Sequence, residues 1–225
     1  MADVSEVYLE TYRRFSALAA ELTSDELAIP VVACPGWSAK DTIGHVAGIA
    51  VDLVAGEGTV SASDSTARQV EERRDRPIGA VLDEWAAAIE PLATLLRAAG
   101  SGLTAVAIDL WSHEQDVRNA INRPGGRDAP GLWLTLKAAV SADQKVRAAG
   151  LAPMRLVTGE KIWFIGDGAR EGADVILELD PYEAARMLMG RRTYEEMAAY
   201  PWVGDSSPYL PLIHQFTVPE HPLGE

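Results

Sequence analysis

Asp109, His113 and Asp116 stand together in the stretch AIDLWSHEQDVRNAI, one aspartate four residues before the histidine and the other three after it. At helical spacing all three lie on one side of a helix. Leu103, Val106, Leu110, Val117 and Ile121 mark an apolar stripe at intervals of three and four, and His113 falls within it. Two carboxylates and an imidazole beside a core-facing stripe are costly to bury unpaired. A divalent cation offsets that cost, because a carboxylate and a histidine one turn apart can ligate the same ion. Such an ion needs a further ligand from a second helix.

His45, in CPGWSAKDTIGHVAG, is the best candidate for that ligand. A helical wheel places it off the apolar face of its own helix, formed by Ile43, Val46, Ala47, Ala50 and Leu53, and groups it with Asp41, Ile49 and Asp52. Spacing alone leaves His45 open between a rim histidine and a ligand. Two neutral imidazoles and one carboxylate suit zinc and tolerate iron or nickel. Three protein ligands would leave one position for a water or thiol that becomes a nucleophile at neutral pH. Asp116 and Asp41 are candidates for orienting the imidazoles through their second nitrogens.

Other residues carry weaker signals. HEQD begins like a zinc-protease motif, but Val117 stands where a second histidine is needed, and Glu114 is expected to face solvent. GDGAREG lies between two strand candidates with no helix after it, which reads as a hairpin turn rather than a nucleotide loop. Cys34 precedes a helix start, where a thiolate is favoured, although a single cysteine also serves as simple packing. Arg191 and Arg192 are candidate catalytic residues that could engage an anionic substrate; the alternative is a solvated helix end. His214 and His221 sit in a proline-rich tail and receive no role.

The elements that must position these residues follow from local signals. Val7, Leu9, Tyr12, Phe15, Leu18 and Leu22 predict a first helix. Ser38 reads as the N-cap of the His45 helix, with Asp41 in a box-like position, and that helix should reach about Gly56. A polar stretch over 56–76 is helical at most in its second half. Pro77 opens another helix, which Pro91 should kink or interrupt. The Asp109–His113 helix runs over 103–122 and stops at RPGG. One more helix ends at Gly150. After Pro153 the texture changes: two short β-rich runs flank a Thr-Gly-Glu turn, ADVILELD is a third strand candidate, and Pro181 starts a helix near its first position. The division falls near 150, with a helical domain over 1–150 and a small α+β domain over 151–225.

Composition bounds the function. The 225 residues are 48% apolar and 24% charged, which is globular. A net charge of −13 argues against a nucleic-acid groove or an anionic membrane as the main partner. Cys34 is the only cysteine, so no internal disulfide forms and a cytoplasmic setting fits. The N-terminus lacks the pattern of a signal peptide, and no apolar run is expected to cross a bilayer.

CPGWSAKDTIGHVAG and AIDLWSHEQDVRNAINRPG resemble the two signatures of the DinB-like metalloenzymes typified by mycothiol-dependent maleylpyruvate isomerase; ERRDRPIGAVLDEWAAA and DPYEAARMLMGRRTYEEM also look like members of that family. The resemblance implies a mainly α fold, a DinB-like four-helix bundle followed by a small sterol-carrier-like α+β domain. It implies His45, Asp109 and His113 as metal ligands, with mycothiol as a low-molecular-weight thiol cosubstrate. The isomerase carries Glu where this chain has Asp109, which bears on the substrate more than on the metal. The activity implied is isomerisation or S-transfer on a small electrophilic, anionic substrate. A metal-dependent hydrolase without a thiol cofactor and a non-enzymatic small-molecule binder are the alternatives. Neither spacing nor charge speaks to oligomeric state.

Overall fold

The computed structural model describes residues 3–57, 63–141, 144–166 and 173–225. The chain divides into two compact units, Met1–Gly131 and Leu132–Glu225. The change of sequence texture near 150 marks where helix gives way to strand, whereas the units part earlier.

The first unit is built from helices α1 (Val4–Glu21), α2 (Ser24–Leu27), α3 (Ala39–Ala55), α4 (Ser63–Arg74), α5 (Ile78–Ala99) and α6 (Thr104–Ala120), with a 3₁₀ turn over Gly100–Leu103. Helix α1 packs on α5 and α6, and α3 packs on α4, α5 and α6. The bundle core centres on Trp85, fully buried, whose indole N–H donates to Tyr8 Oη at 3.2 Å. Tyr12 and Phe15 meet its ring edge-on at centroid distances of 4.9 and 6.0 Å. Each such aromatic pair contributes about 1 kcal/mol beyond its buried area.

Local chemistry starts α3 where the sequence places it. Ser38 accepts from the Asp41 backbone N–H while Asp41 accepts from that of Ser38, a reciprocal capping box, and the helix ends at Gly56. Of the kink or interruption expected at Pro91, the interruption does not occur: helix α5 is continuous through it. Pro91 is exposed, so its missing N–H bond lies on the solvent side, while Trp85, Ala88, Leu92, Ala93 and Leu96 hold the helix on its buried side. A second departure concerns hydropathy. The helical run Ile78–Ala120 is long and apolar enough to cross a membrane, contrary to the sequence reading. Trp85, at the centre of the bundle core, belongs to this run.

The second unit takes in most of α7 (Pro130–Ser141), then α8 (Gln144–Ala148), strands β1 (Met154–Thr158), β2 (Lys161–Ile165) and β3 (Ile176–Glu178), and helices α9 (Pro181–Leu188) and α10 (Tyr194–Ala198). The single helix expected up to Gly150 is thus two helices, with residues 142–143 outside the described set. Side chains near α7 and α8 tie them to the tail: Gln215 donates to the Ala139 carbonyl at 3.3 Å and Lys145 to that of His214 at 2.7 Å. Strand β1 is central, antiparallel to β2 with Leu156 opposite Trp163 and parallel to β3 with Leu156 opposite Leu177. Met154, Leu156 and Leu177 are buried, and burial alternates along β1 as a half-covered strand requires. Asp180 caps α9, with Pro181 at its start. The turn expected in GDGAREG falls on residues 167–172, which lie outside the described residues.

Candidate metal centre

The segment before α3 forms the first wall of the site. Cys34-Pro35-Gly36-Trp37 is a β-turn in which the Trp37 N–H donates to the Cys34 carbonyl at 3.0 Å. Pro35 occupies the second position, where its fixed φ is suited, and Gly36 the third, at φ 84°, where a side chain would be strained. The turn is anchored by hydrogen bonds from Val31 N to Trp37 O at 2.8 Å and from Ala39 N to Ile29 O at 2.9 Å. Its two corner side chains both reach the histidines. Cys34 Sγ lies 3.6 Å from His113 Nδ1. The Trp37 ring centroid lies 4.9 Å from that of His45 and 6.1 Å from that of His113.

Helices α3 and α6 supply the donors. His45, on α3, is buried, because α4, α5 and α6 enclose nearly all of that helix rather than one stripe of it. Asp109 and His113 share one side of α6. His45 Nε2 lies 3.8 Å from Asp109 Oδ2, and His113 Nε2 lies 3.5 Å from Asp109 Oδ1. The two imidazole rings stand 5.2 Å apart, nearly perpendicular. One donor atom from each of the three residues lies within 4.8 Å of the others. A tetrahedral zinc site with bonds of roughly 2.0–2.1 Å sets its ligand atoms about 3.3 Å apart. Each histidine thus stands a few tenths of an ångström beyond that spacing from its nearer Asp109 oxygen, His45 from Oδ2 and His113 from Oδ1. Asp109 is the least buried of the three, its side chain 22% exposed against 5% and 10% for the histidines.

The second nitrogen of each ring has its own partner. Asp116 Oδ2 faces His113 Nδ1 at 3.2 Å, and Cys34 Sγ lies 3.7 Å from the same oxygen. His45 Nδ1 meets Gln69 Oε1, on α4, at 2.9 Å. Gln69 Nε2 donates to Asp52 Oδ2 at 2.6 Å, and Arg68 donates to that oxygen at 2.8 Å. Asp41, expected to orient an imidazole, instead completes the capping box with Ser38 at 2.9 Å and pairs with Arg74 at 3.3 Å. Its position in the first turn of α3 gives it exposed backbone N–H groups to satisfy, and it is spent there. Gly48 makes the Gln69 contact possible: a Cβ at that position would come within 2.6 Å of Gln69 Cγ.

The two imidazoles differ in electrostatics. Burial pushes His45 down to about 4, and the neighbouring His113 adds to the fall, while Asp109 works against it. Burial pulls His113 down as well, but Asp109, Cys34 and Asp116 together carry it well above its ordinary value.

Three further residues of the sequence reading have partners of their own. Glu114 does not face solvent; its side chain is fully buried and receives Arg14 at 2.7 and 2.5 Å and Arg118 at 2.9 Å. Helix α6 is covered on both sides at this level, so the residue after His113 points into the α1 contact. In the second unit, Arg192 is held by Glu183 at 2.5 and 2.7 Å and by Glu225 at 2.8 Å. Arg191 is buried, donates to the Met189 carbonyl at 2.8 Å and lies over the Phe216 ring at 5.6 Å. Trp37, Gln69 and Cys34 were missed as members of the site. The Pro-Gly pair between Cys34 and Trp37 carried a turn signal that brings those two side chains near each other, whereas nothing local to α4 marks Gln69.

Residues 9–119 match the family model described as mycothiol maleylpyruvate isomerase N-terminal domain. Two solved structures share the fold. Mycothiol-dependent maleylpyruvate isomerase superposes with a TM-score of 0.59 at 17% identity, covering 84% of this chain and 88% of that one. A histidine-to-alanine variant of that enzyme superposes with a TM-score of 0.59 at 14% identity, covering 83% and 88%. No curated protein matches the chain.

Proposed function

This chain belongs, through its helical unit, to the mycothiol maleylpyruvate isomerase family, and on that premise we propose that it is a metal-dependent enzyme using a thiol of the mycothiol kind. Its reaction is isomerisation of, or sulfur transfer to, a small electrophilic and anionic substrate. The observation that carries the reading is the convergence of His45, Asp109 and His113 from two helices, with donor separations that suit one ion. The donor set favours zinc, with iron or nickel as alternatives. Bound there, the cation would supply an open position in which a thiol loses its proton near neutral pH.

The chain's own residues do the rest. His45, Asp109 and His113 would hold the ion. Asp116 fixes the His113 ring from behind, and Trp37 packs against both imidazoles and limits water on that side. Asp109, the most exposed donor, marks the side from which thiol and substrate enter. Its side chain is one methylene shorter than the glutamate that the family resemblance implies at this position, a difference that would bear on which substrate fits.

An anion-binding role for Arg191 and Arg192 belongs to the same proposal, as does a cytoplasmic setting. Arg192 would have to exchange Glu183 or Glu225 for a substrate carboxylate. Unchanged KM in both Arg191→Ala and Arg192→Ala removes that role. The reading as a whole is tested by titrating zinc-loaded protein with mycothiol. Saturable binding that is lost in His113→Ala supports it. No binding by protein that retains its zinc leaves a metal-dependent hydrolase or a binding protein instead.

A further inference from the structure

Hydrogen-bond polarity can be followed inward from Asp52 to the candidate ion, and it fixes one choice at each step. A carboxylate paired with a guanidinium only accepts hydrogen bonds. Asp52 is such a group: Arg68 donates to its Oδ2 at 2.8 Å, and its side chain is buried. The Gln69 side chain, also buried, touches the same oxygen at 2.6 Å. Only the NH₂ end of the carboxamide can make that bond, so the carbonyl end must turn the other way, toward His45. A carbonyl oxygen 2.9 Å from His45 Nδ1 requires a proton on that nitrogen. A neutral imidazole protonated at Nδ1 carries its lone pair at Nε2, the atom that faces Asp109 across 3.8 Å.

We infer that Asp52, acting through Gln69, is a positioning residue that selects the metal-binding tautomer of His45. The inference rests on the metal reading above but makes a separate claim about a protein side chain. Helix α4 thereby contributes to a site whose donors all lie on α3 and α6, and Gly48 is the residue that admits it: the space a Cβ would fill is occupied by Gln69 Cβ and Cγ at 2.7 and 2.6 Å. The two histidines are held differently. His113 is backed directly by a carboxylate, whereas His45 is backed by a neutral carboxamide whose orientation a carboxylate sets at one remove.

The test reads the tautomer directly. In metal-free, ¹⁵N-labelled full-length protein at neutral pH, His45 should show a protonated Nδ1 and an unprotonated Nε2. Asp52→Asn is isosteric, yet its amide can donate or accept, so Gln69 is free to flip and a mixture of tautomers is expected. Gln69→Leu removes the acceptor; it should lose the preference and weaken zinc binding, measured by chelator competition, by about 10- to 100-fold. A wild-type His45 with its proton on Nε2 overturns the inference. So does either variant that keeps the wild-type tautomer populations and binds zinc within about twofold of wild type. The wild-type spectrum decides the matter if a variant does not fold. Wild-type protein that shows the expected tautomer yet takes up no zinc would instead leave the positioning intact and defeat the metal reading.

Discussion

Asp109 and His113 stand one turn apart on α6 with Oδ1 and Nε2 separated by 3.5 Å, and the other oxygen of the same carboxylate faces His45 on α3. One carboxylate thus lies between the two imidazoles, one oxygen toward each. An ion drawn between them would shorten every one of these distances at once. The spacing four residues apart supplies the first pair; the packing of α3 on α6 supplies the second.

Gly48→Ala should damage the site without touching a donor. The added methyl would meet Gln69 Cβ and Cγ at under 3 Å, and Gln69 or the whole of α4 must shift to relieve it. Overpacking of this kind costs about 1–3 kcal/mol. Urea denaturation should show that loss, and zinc affinity should fall as His45 loses its partner. Wild-type stability together with wild-type zinc affinity would show that α4 is not held where we describe it.

Glu114→Ala should be severely destabilising although it removes no ligand. Its buried carboxylate receives Arg14 from α1 and Arg118 from its own helix. Removing one partner of a buried ion pair costs about 3–5 kcal/mol, and the partial exposure of Arg14 places this case near the lower end. The midpoint in urea measures it. A change below about 1 kcal/mol would mean that Arg14 finds water as readily as it finds Glu114.

The second unit should show an acid-dependent loss of stability through Glu183. Burial raises that carboxyl, but bonds from Arg192 and Tyr200 outweigh it and leave it below its ordinary value. A carboxyl lowered on folding stabilises the folded state above its unfolded value of about 4.3, and that contribution is lost as pH falls through the folded value. The stability difference between wild type and Glu183→Gln should therefore stay level from neutral pH down to about 4.3 and shrink below it. A difference that grows on acidification would reverse the sign of the shift.

Features set by neighbours in sequence were the legible ones. The Ser38–Asp41 box, the stop at Gly56, Pro181 at a helix start and the hairpin across Gly159 and Glu160 each depend on residues a few positions apart. The pairing of Asp109 with His113 belongs with them, because helical periodicity alone places the two side by side. What could not be read depends on which helix covers which. Glu114 looks like a surface residue until α1 brings Arg14, one hundred residues away in sequence, against it. Gln69 belongs to a strongly polar helix and becomes part of the site only because Gly44 and Gly48 let that helix approach α3 closely. The burial of His45 has the same origin: its wheel position is off the apolar centre, but α3 is enclosed on several sides. Pro91 gave a local stop signal, yet α5 continues through it, held by buried residues before and after.

The central claim is that three side chains from two helices bind one cation. Its most direct test is the metal content, by plasma mass spectrometry, of protein purified without an affinity tag, alongside His113→Ala prepared identically. The account predicts about one divalent ion per wild-type chain, with zinc the leading candidate, and little in the variant. Equal metal in the two proteins, or none in a wild-type protein offered zinc, would contradict it.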